Sequence, residues 1–272
     1  MQAAVMAILQ GMTELFPVSS LGHAVVLPSL LGWHIDQKAP DFLPFLVVLH
    51  LGTAVALLLY FWRDWFGFAR AVIGKGKGKG AKEERKVFGL VIIATLPAIV
   101  IGFALEHILR GFFGSPVLAA AFLIVNGGIL FTGERIKRSG RKSLAEVGWK
   151  TALVIGACQA VALIPGISRS GATMVGGVLA GLKHRDAARF SFLLATPIIA
   201  GAGILEVPKM LHQSGGLASP AVVIAAGLIA GITAWLSTAF LMHYFKKNEI
   251  EAFDPFAWYC WAFGAIALIV LL

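Results

Sequence analysis

The sequence predicts an all-α polytopic membrane protein with six transmembrane helices and two re-entrant helical hairpins, arranged as an inverted-topology repeat. Three observations predict it. The 272 residues are 58% hydrophobic and only 14% charged, where a soluble domain is about a quarter charged, and the mean hydropathy is +0.83. Six apolar stretches approach the ~20 residues that cross a ~30 Å hydrocarbon core as a helix. Two more are apolar but interrupted near their middles by proline, glycine and hydroxyl residues.

In chain order, 1–31 is the first broken segment, and 42–62, 87–105 and 116–132 follow as spans. The second broken segment is 151–182, and 190–205, 220–242 and 256–272 complete the set. Each half therefore has one broken segment and three spans. Three is odd, so the second half is inverted relative to the first. The whole chain, 1–272, reads as one integral membrane domain whose halves, about 1–133 and 150–272, are joined by a basic loop. Gln10 and Pro17 followed by Ser19-Ser20 parallel Gln159 and Pro165 followed by Ser168-Arg169-Ser170. A competing match, Ala94-Thr95-Leu96-Pro97 against Ala195-Thr196-Pro197, does not fit that register.

Charge supports the layout. The net charge of +9 is confined to links. Of the 23 lysines and arginines, all but Lys38, Arg110, Lys209 and Arg169 fall in the links after 62, after 132, around 183–189 and at 246–247. Two re-entrant pairs and six spans put those four links on one side, which the positive-inside rule makes cytoplasmic. Both termini then face outward. Such a distribution argues against a nucleic-acid partner, and Lys75–Gly80 (KGKGKG) reads as a flexible solvated loop. Trp33, Trp62, Trp65, Trp149, Trp258 and Trp261 lie near proposed span ends and read as interfacial anchors. Cys158 and Cys260 sit in apolar segments and suggest neither a disulfide nor a metal cluster. No basic residue precedes the apolar run 3–9 and Glu14 soon interrupts it, so no cleavable signal peptide is expected.

The chemistry is concentrated in the two breaks. The second runs Pro165-Gly166-Ile167-Ser168-Arg169-Ser170-Gly171-Ala172-Thr173. An arginine at membrane depth costs about 2.5–3.5 kcal/mol on insertion scales, and a phosphate is the partner that suits its surroundings. Ser168, Ser170 and Thr173 can bond phosphate oxygens, Gly166 and Gly171 let backbone amides approach, and a helix starting here adds partial positive charge. The bland alternative, a Pro/Gly kink with hydroxyls satisfying freed backbone groups, leaves Arg169 unexplained.

In the first break Gln10 and Glu14 are four residues apart and share a helical face. Glu14 is a carboxylate suited to a divalent cation, to positioning a substrate or to moving protons, or else to pairing with Arg169. Pro17-Val18-Ser19-Ser20-Leu21-Gly22-His23 adds hydroxyls and an imidazole. Ser20 and His23 face the same way at helical spacing, the minimum for an activated oxygen nucleophile. His50 and Asp41 lie in or beside a span and read as interhelical or interfacial polar contacts. Discontinuous helices of inverted repeats commonly meet near the midplane, so one shared pocket is expected from residues 10–23 and 165–173. The set suits hydrolysis of a phosphoanhydride: Arg169 and the helix dipole offset charge on the transferring oxygens, a serine or water attacks, and His23 moves the proton.

Gln10-x3-Glu14 leading into Pro17-Val18-Ser19-Ser20-x-Gly22-His23, together with Pro165-Gly166-x-Ser168-Arg169-Ser170-x2-Thr173, closely resembles the undecaprenyl-diphosphate phosphatase family (BacA/UppP). Length, the two re-entrant segments and the six spans match as well. The resemblance implies hydrolysis of undecaprenyl diphosphate to undecaprenyl phosphate, the lipid carrier for cell-wall glycan synthesis, in the bacterial inner membrane. It carries Glu14, Ser20, His23 and Arg169 over as catalytic, and Gln10, Ser19, Gly166, Ser168, Ser170, Gly171 and Thr173 as substrate-binding. It further implies a divalent cation, Mg²⁺ or Ca²⁺, with Glu14 as ligand, a site open to the periplasm, and a link to bacitracin resistance. Gln10 is neutral where the family has Glu or Gln, which weakens any two-carboxylate metal site here. Two other classes compete. A polyprenyl-phosphate flippase would use the same inverted-repeat pocket. A phosphohistidine lipid phosphatase would need a second histidine soon after the arginine, whereas His184 falls in a basic loop.

Overall fold

The computed structural model describes residues 1–33, 35, 39, 42–76, 78–105, 114–136, 140–212 and 219–272. Of the residues weighed above, Lys38, Asp41, Lys77, Arg110, Lys137 and Arg138 lie outside this set.

Among the described residues the chain forms α-helices, one 3₁₀ turn at Leu144–Glu146 and one isolated bridge, Lys142 to Leu182, but no strand. The first half holds α1 (Gln2–Thr13), α2 (Ser20–Leu30), α3 (Phe42–Tyr60), α4 (Trp62–Val72), α5 (Gly78–Ala104) and α6 (Pro116–Ile136). The second holds α7 (Trp149–Val161), α8 (Arg169–Leu179), α9 (His184–His212), α10 (Pro220–Lys247) and α11 (Asp254–Leu271). Six helices, α3, α5, α6, α9, α10 and α11, are long and apolar enough to cross a bilayer, and they fall where the hydropathy pattern put the spans. Large apolar side chains such as Leu59, Phe103, Ile204, Ile232 and Ile269 stay exposed. Apolar exposure on that scale suits lipid and not water. The chain is a multi-pass membrane protein.

Two elements differ from the sequence expectation, both in the link after the first span. Trp62–Val72 is a short helix, with Asp64 in its first turn and Arg70 in its last, the arrangement that complements the helix dipole. The next helix starts at Gly78, so Gly78-Lys79-Gly80 opens a helix instead of lying in a solvated loop. Lys82-Glu83-Glu84-Arg85-Lys86 are good helix formers, and Arg85 anchors this end by donating to Ala71 O from Nε (3.2 Å) and Nη2 (2.5 Å).

Packing relies on small residues, as it must where lipid offers helices no hydrophobic drive to associate. At the α3–α10 crossing a Cβ on Gly52 would strike the carbonyl oxygen of Gly227. Trp62 and Trp149 remain exposed at the start of their helices, as anchors would. Trp261 does not: its indole donates to Ile124 O at 3.1 Å and closes the α6–α11 contact.

The four basic links touch one another. Lys86 Nζ donates to Ala145 O at 2.5 Å, Lys142 N to Gly181 O at 2.9 Å and Lys183 N to Lys142 O at 3.1 Å. Arg189 pairs with Asp64. His184 Nε2 lies 3.0 Å from the fully buried Glu134, which also accepts from the backbone N–H of Glu251 and of Phe253. These links form one end of the molecule. The two helix breaks, 14–19 and 162–168, are also neighbours: a Cβ on Gly22 would lie 3.1 Å from Gly166 Cα.

Candidate active site

Both breaks end in a serine-capped helix that starts at the site. Ser19 caps α2, its Oγ accepting from Gly22 N at 3.2 Å. Ser168 caps α8, its Oγ accepting from Gly171 N at 3.1 Å. Each cap satisfies one orphan N–H of its helix, and both helices start at the site with the positive end of the dipole. Ser19 does so at φ 69°, a left-handed conformation that costs a non-glycine residue about 1–3 kcal/mol. Gly166 takes φ 99°, and a Cβ there would strike Ala119 O, so only glycine fits that turn.

Glu14 stands at the centre, one residue beyond α1 and buried. Arg169 reaches its Oε1 with Nη2 at 2.9 Å and Nε at 3.3 Å. Its other oxygen, Oε2, accepts from Ser20 Oγ at 2.5 Å and from Gln10 Nε2 at 3.2 Å. The third nitrogen of the guanidinium, Nη1, donates to Ser191 O on α9 at 3.1 Å. Three of the five N–H groups of the fork are thus spent, and two remain. Glu14, Ser19, Ser20, Ser168 and Arg169 line a cavity of about 240 Å³ whose remaining wall is mainly apolar, including Leu43 and Val47 from α3 and Ile198 and Ile199 from α9. A larger groove of about 620 Å³ between α3 and α10 is lined by lipid-facing apolar residues such as Val55, Leu59 and Leu228 and carries no reactive group.

The other predicted site residues lie behind this wall. Ser170 donates to Phe16 O at 3.0 Å. Its single proton is thereby used, so Ser168 is the donor in the 3.0 Å contact between the two hydroxyls. Thr173 donates to backbone oxygen of Arg169 (2.7 Å) and meets Ser191 Oγ at 2.6 Å, joining α8 to α9. Gly171 is buried against Ser168, Leu130 and Pro17. His23 turns away from Ser20. Its Nδ1–H donates to Ser19 O at 2.7 Å, which leaves Nε2 to accept from Tyr259 Oη at 2.8 Å. The ring stacks on Phe263 at 4.7 Å.

Two residues outside the predicted set belong to the arrangement. Asn126, fully buried on α6, donates to Pro17 O at 2.9 Å and accepts from Ser168 N at 2.9 Å. One amide thus ties the two breaks together. Its signal in the sequence is a polar residue in an otherwise apolar span. His50, expected as an interhelical contact, places Nε2 at 3.2 Å from Glu14 Oε2 and lines the cavity.

Fold and site together define a polytopic membrane protein with a carboxylate, a guanidinium and a hydroxyl gathered where two broken helices meet. The family model described as bacitracin resistance protein BacA matches residues 3–266, and the chain belongs to that family. It is 53% identical to the undecaprenyl-diphosphatase of Granulibacter bethesdensis over 98% of this chain and 95% of that protein. It is 50% identical to the undecaprenyl-diphosphatase of Acidiphilium cryptum over 99% of this chain and 97% of that protein. The corresponding protein of Gluconobacter oxydans is 45% identical, over 100% and 99%.

Proposed function

We propose that this chain hydrolyses undecaprenyl diphosphate to undecaprenyl phosphate and inorganic phosphate, returning the lipid carrier to cell-wall glycan synthesis. The observation that carries this is the 2.5 Å bond from Ser20 Oγ to Glu14 Oε2, with the Arg169 fork on the other oxygen of the same carboxylate. A nucleophile already bonded to a base, beside a planar cation that suits phosphate, is the equipment of phosphoryl transfer and not of carriage alone. Ser20 Oγ attacks the terminal phosphorus as its proton passes to Glu14. The bond to the bridging oxygen breaks, and the lipid monophosphate leaves with that electron pair. Water then attacks the phosphoserine and passes a proton to a phosphoryl oxygen, the bond from phosphorus to Ser20 Oγ breaks, and Ser20 takes back its proton from Glu14 as inorganic phosphate departs. Arg169 and the N-termini of α2 and α8 face the charge that develops on the phosphoryl oxygens. In this scheme Glu14, not His23, is the base for Ser20. His23 holds the strained Ser19 turn through its bond to Ser19 O. The first isoprene units lie against the apolar wall formed by α3 and α9.

A divalent cation, Mg²⁺ or Ca²⁺, fits this donor set. No group of three or more His, Cys, Asp or Glu side chains among the described residues could cage a metal. Hard cations that work on phosphates need only one or two protein oxygens and take the rest from substrate and water. Glu14 and Gln10 would hold it, since Gln10 Oε1 is buried with no hydrogen-bond partner. When bound, the cation neutralises phosphate charge.

The inverted repeat and the re-entrant hairpins belong to the same proposal. Supporting them, both breaks read Ser-x-x-Gly with the same cap bond, and both preceding helices carry a buried glutamine, Gln10 and Gln159. The basic end is proposed as cytoplasmic by the positive-inside rule, with the site opening toward the periplasm of a bacterial inner membrane.

The test is phosphate release by purified protein in detergent from undecaprenyl diphosphate, with and without chelator. Wild type is expected to release phosphate, chelator to slow it, and Ser20→Ala to lose at least about a hundredfold in kcat. No release by wild type would sink the enzyme reading. A Ser20→Ala variant with most of its activity would replace serine by direct water attack.

A further inference from the structure

His50 has no part in the scheme above, although its position in the site is as definite as that of Ser20. It lies midway along α3, the span that forms one apolar wall of the cavity. Its Nδ1–H donates to Leu46 O one turn back at 2.7 Å. That bond fixes the rotation of the ring and aims the other nitrogen away from its own helix. Nε2 lies 3.2 Å from Glu14 Oε2, the same oxygen that accepts from Ser20 at 2.5 Å, so both ring nitrogens face oxygen acceptors and the imidazole carries a proton on each. His50 and Ser20 are therefore neighbours across one oxygen atom. The His50 side chain is 22% exposed against 6% for Glu14, so part of the imidazole edge is open to the cavity and not sealed between helices.

A phosphoryl group placed for attack by Ser20 and held by Arg169 occupies the cavity that His50 also lines, one hydroxyl away from the oxygen that Ser20 and His50 share. We propose that His50 is a phosphate-binding residue of this site, meeting the terminal phosphate through Nε2 as the third side-chain arm beside Arg169 and Ser20. The inference deepens the diphosphatase reading and depends on it. It gives the two histidines separate duties: His23 holds the backbone that carries the nucleophile, and His50 touches the substrate. A simple interhelical contact would explain the bond to Glu14, but not an imidazole edge left open beside the nucleophile.

Two variants of similar side-chain length separate these roles. His50→Gln keeps a hydrogen-bond donor, and His50→Met removes it. The full-length protein is assayed in detergent with farnesyl diphosphate, a soluble polyprenyl diphosphate, alongside thermal melting of each variant. His50→Met is expected to lose about tenfold to a hundredfold in kcat/KM relative to His50→Gln, the size of one hydrogen bond to a charged group, with KM raised and the melting temperatures alike. Equal kcat/KM for the two folded variants overturns the proposal. If His50→Met does not survive purification, His50→Leu takes its place and His50→Gln is compared with wild type. A folded His50→Leu equal to His50→Gln overturns the proposal in the same way. Wild type that releases no phosphate from either farnesyl or undecaprenyl diphosphate defeats the diphosphatase reading itself. Active wild type with equal Gln and Met variants defeats only the role given to His50.

Discussion

Arg169 spends its fork on two different elements, Glu14 beyond α1 and the Ser191 carbonyl on α9. A lysine keeps the charge but has no planar fork, and cannot reach both partners while leaving N–H groups for a phosphate. Arg169→Lys is expected to lose at least about a hundredfold in kcat/KM, with KM rising, since a bidentate charge-assisted pair contributes several kcal/mol to an oriented anion. Near-wild-type kinetics in the phosphate-release assay would remove Arg169 from the phosphate. At this scale much was legible in the sequence. An arginine, a carboxylate and clustered serines in apolar segments announce a polar centre, and Glu14, Ser20, Ser168 and Arg169 do line one cavity. What spacing could not give was direction. Ser20 and His23 share a face on an ideal helix, but Ser20 is the first residue of α2, and the ring of His23 is captured by Tyr259 and Phe263 from a helix more than two hundred residues away in sequence.

Among the elements, α6 has a role that hydropathy conceals. It reads as an ordinary span, yet its Asn126 holds Pro17 O and Ser168 N at 2.9 Å each. Asn126→Ala leaves both of these buried groups without a partner, at about 1–3 kcal/mol each. The expected result is a clearly lower melting temperature in detergent together with a fall in kcat, because the turns carrying Ser20 and Arg169 lose their common tie. A variant that melts lower but turns over normally would show that α8 and α2 keep their register without it. The six spans were legible because length and apolarity alone define them. The short helix α4 was not, because its two tryptophans, two phenylalanines and three charges follow a helical period over only eleven residues, too few and too polar on average to stand out by apolarity from a basic loop.

For the whole molecule, the charge distribution did more than composition. The four links that carry most of the basic residues are joined by direct contacts, such as Lys86 to Ala145 and Lys142 to Gly181, so they share one end of the bundle. That this end is cytoplasmic is a matter for labelling. In a background where Cys158 and Cys260 are replaced by alanine, Lys79→Cys and Lys246→Cys are expected to resist a membrane-impermeant maleimide in intact cells and to react after lysis. Leu272→Cys is expected to react in intact cells. The reverse pattern would turn the protein over in the membrane. The similarity of the two breaks predicts that they meet, but not how: Gly22 and Gly166 face each other because both pack against α6, at Leu123 and at Ala119 and Phe122, a contact that no motif records.

One consequence follows from the double occupancy of Glu14. Its carboxylate occupies the arginine fork with one oxygen and the serine proton with the other. A phosphate can take the two N–H groups that the carboxylate and the Ser191 carbonyl leave free, with Glu14 still in place. In the proposed reaction one guanidinium therefore bridges base and substrate, and a single side chain sets how far Ser20 stands from phosphorus.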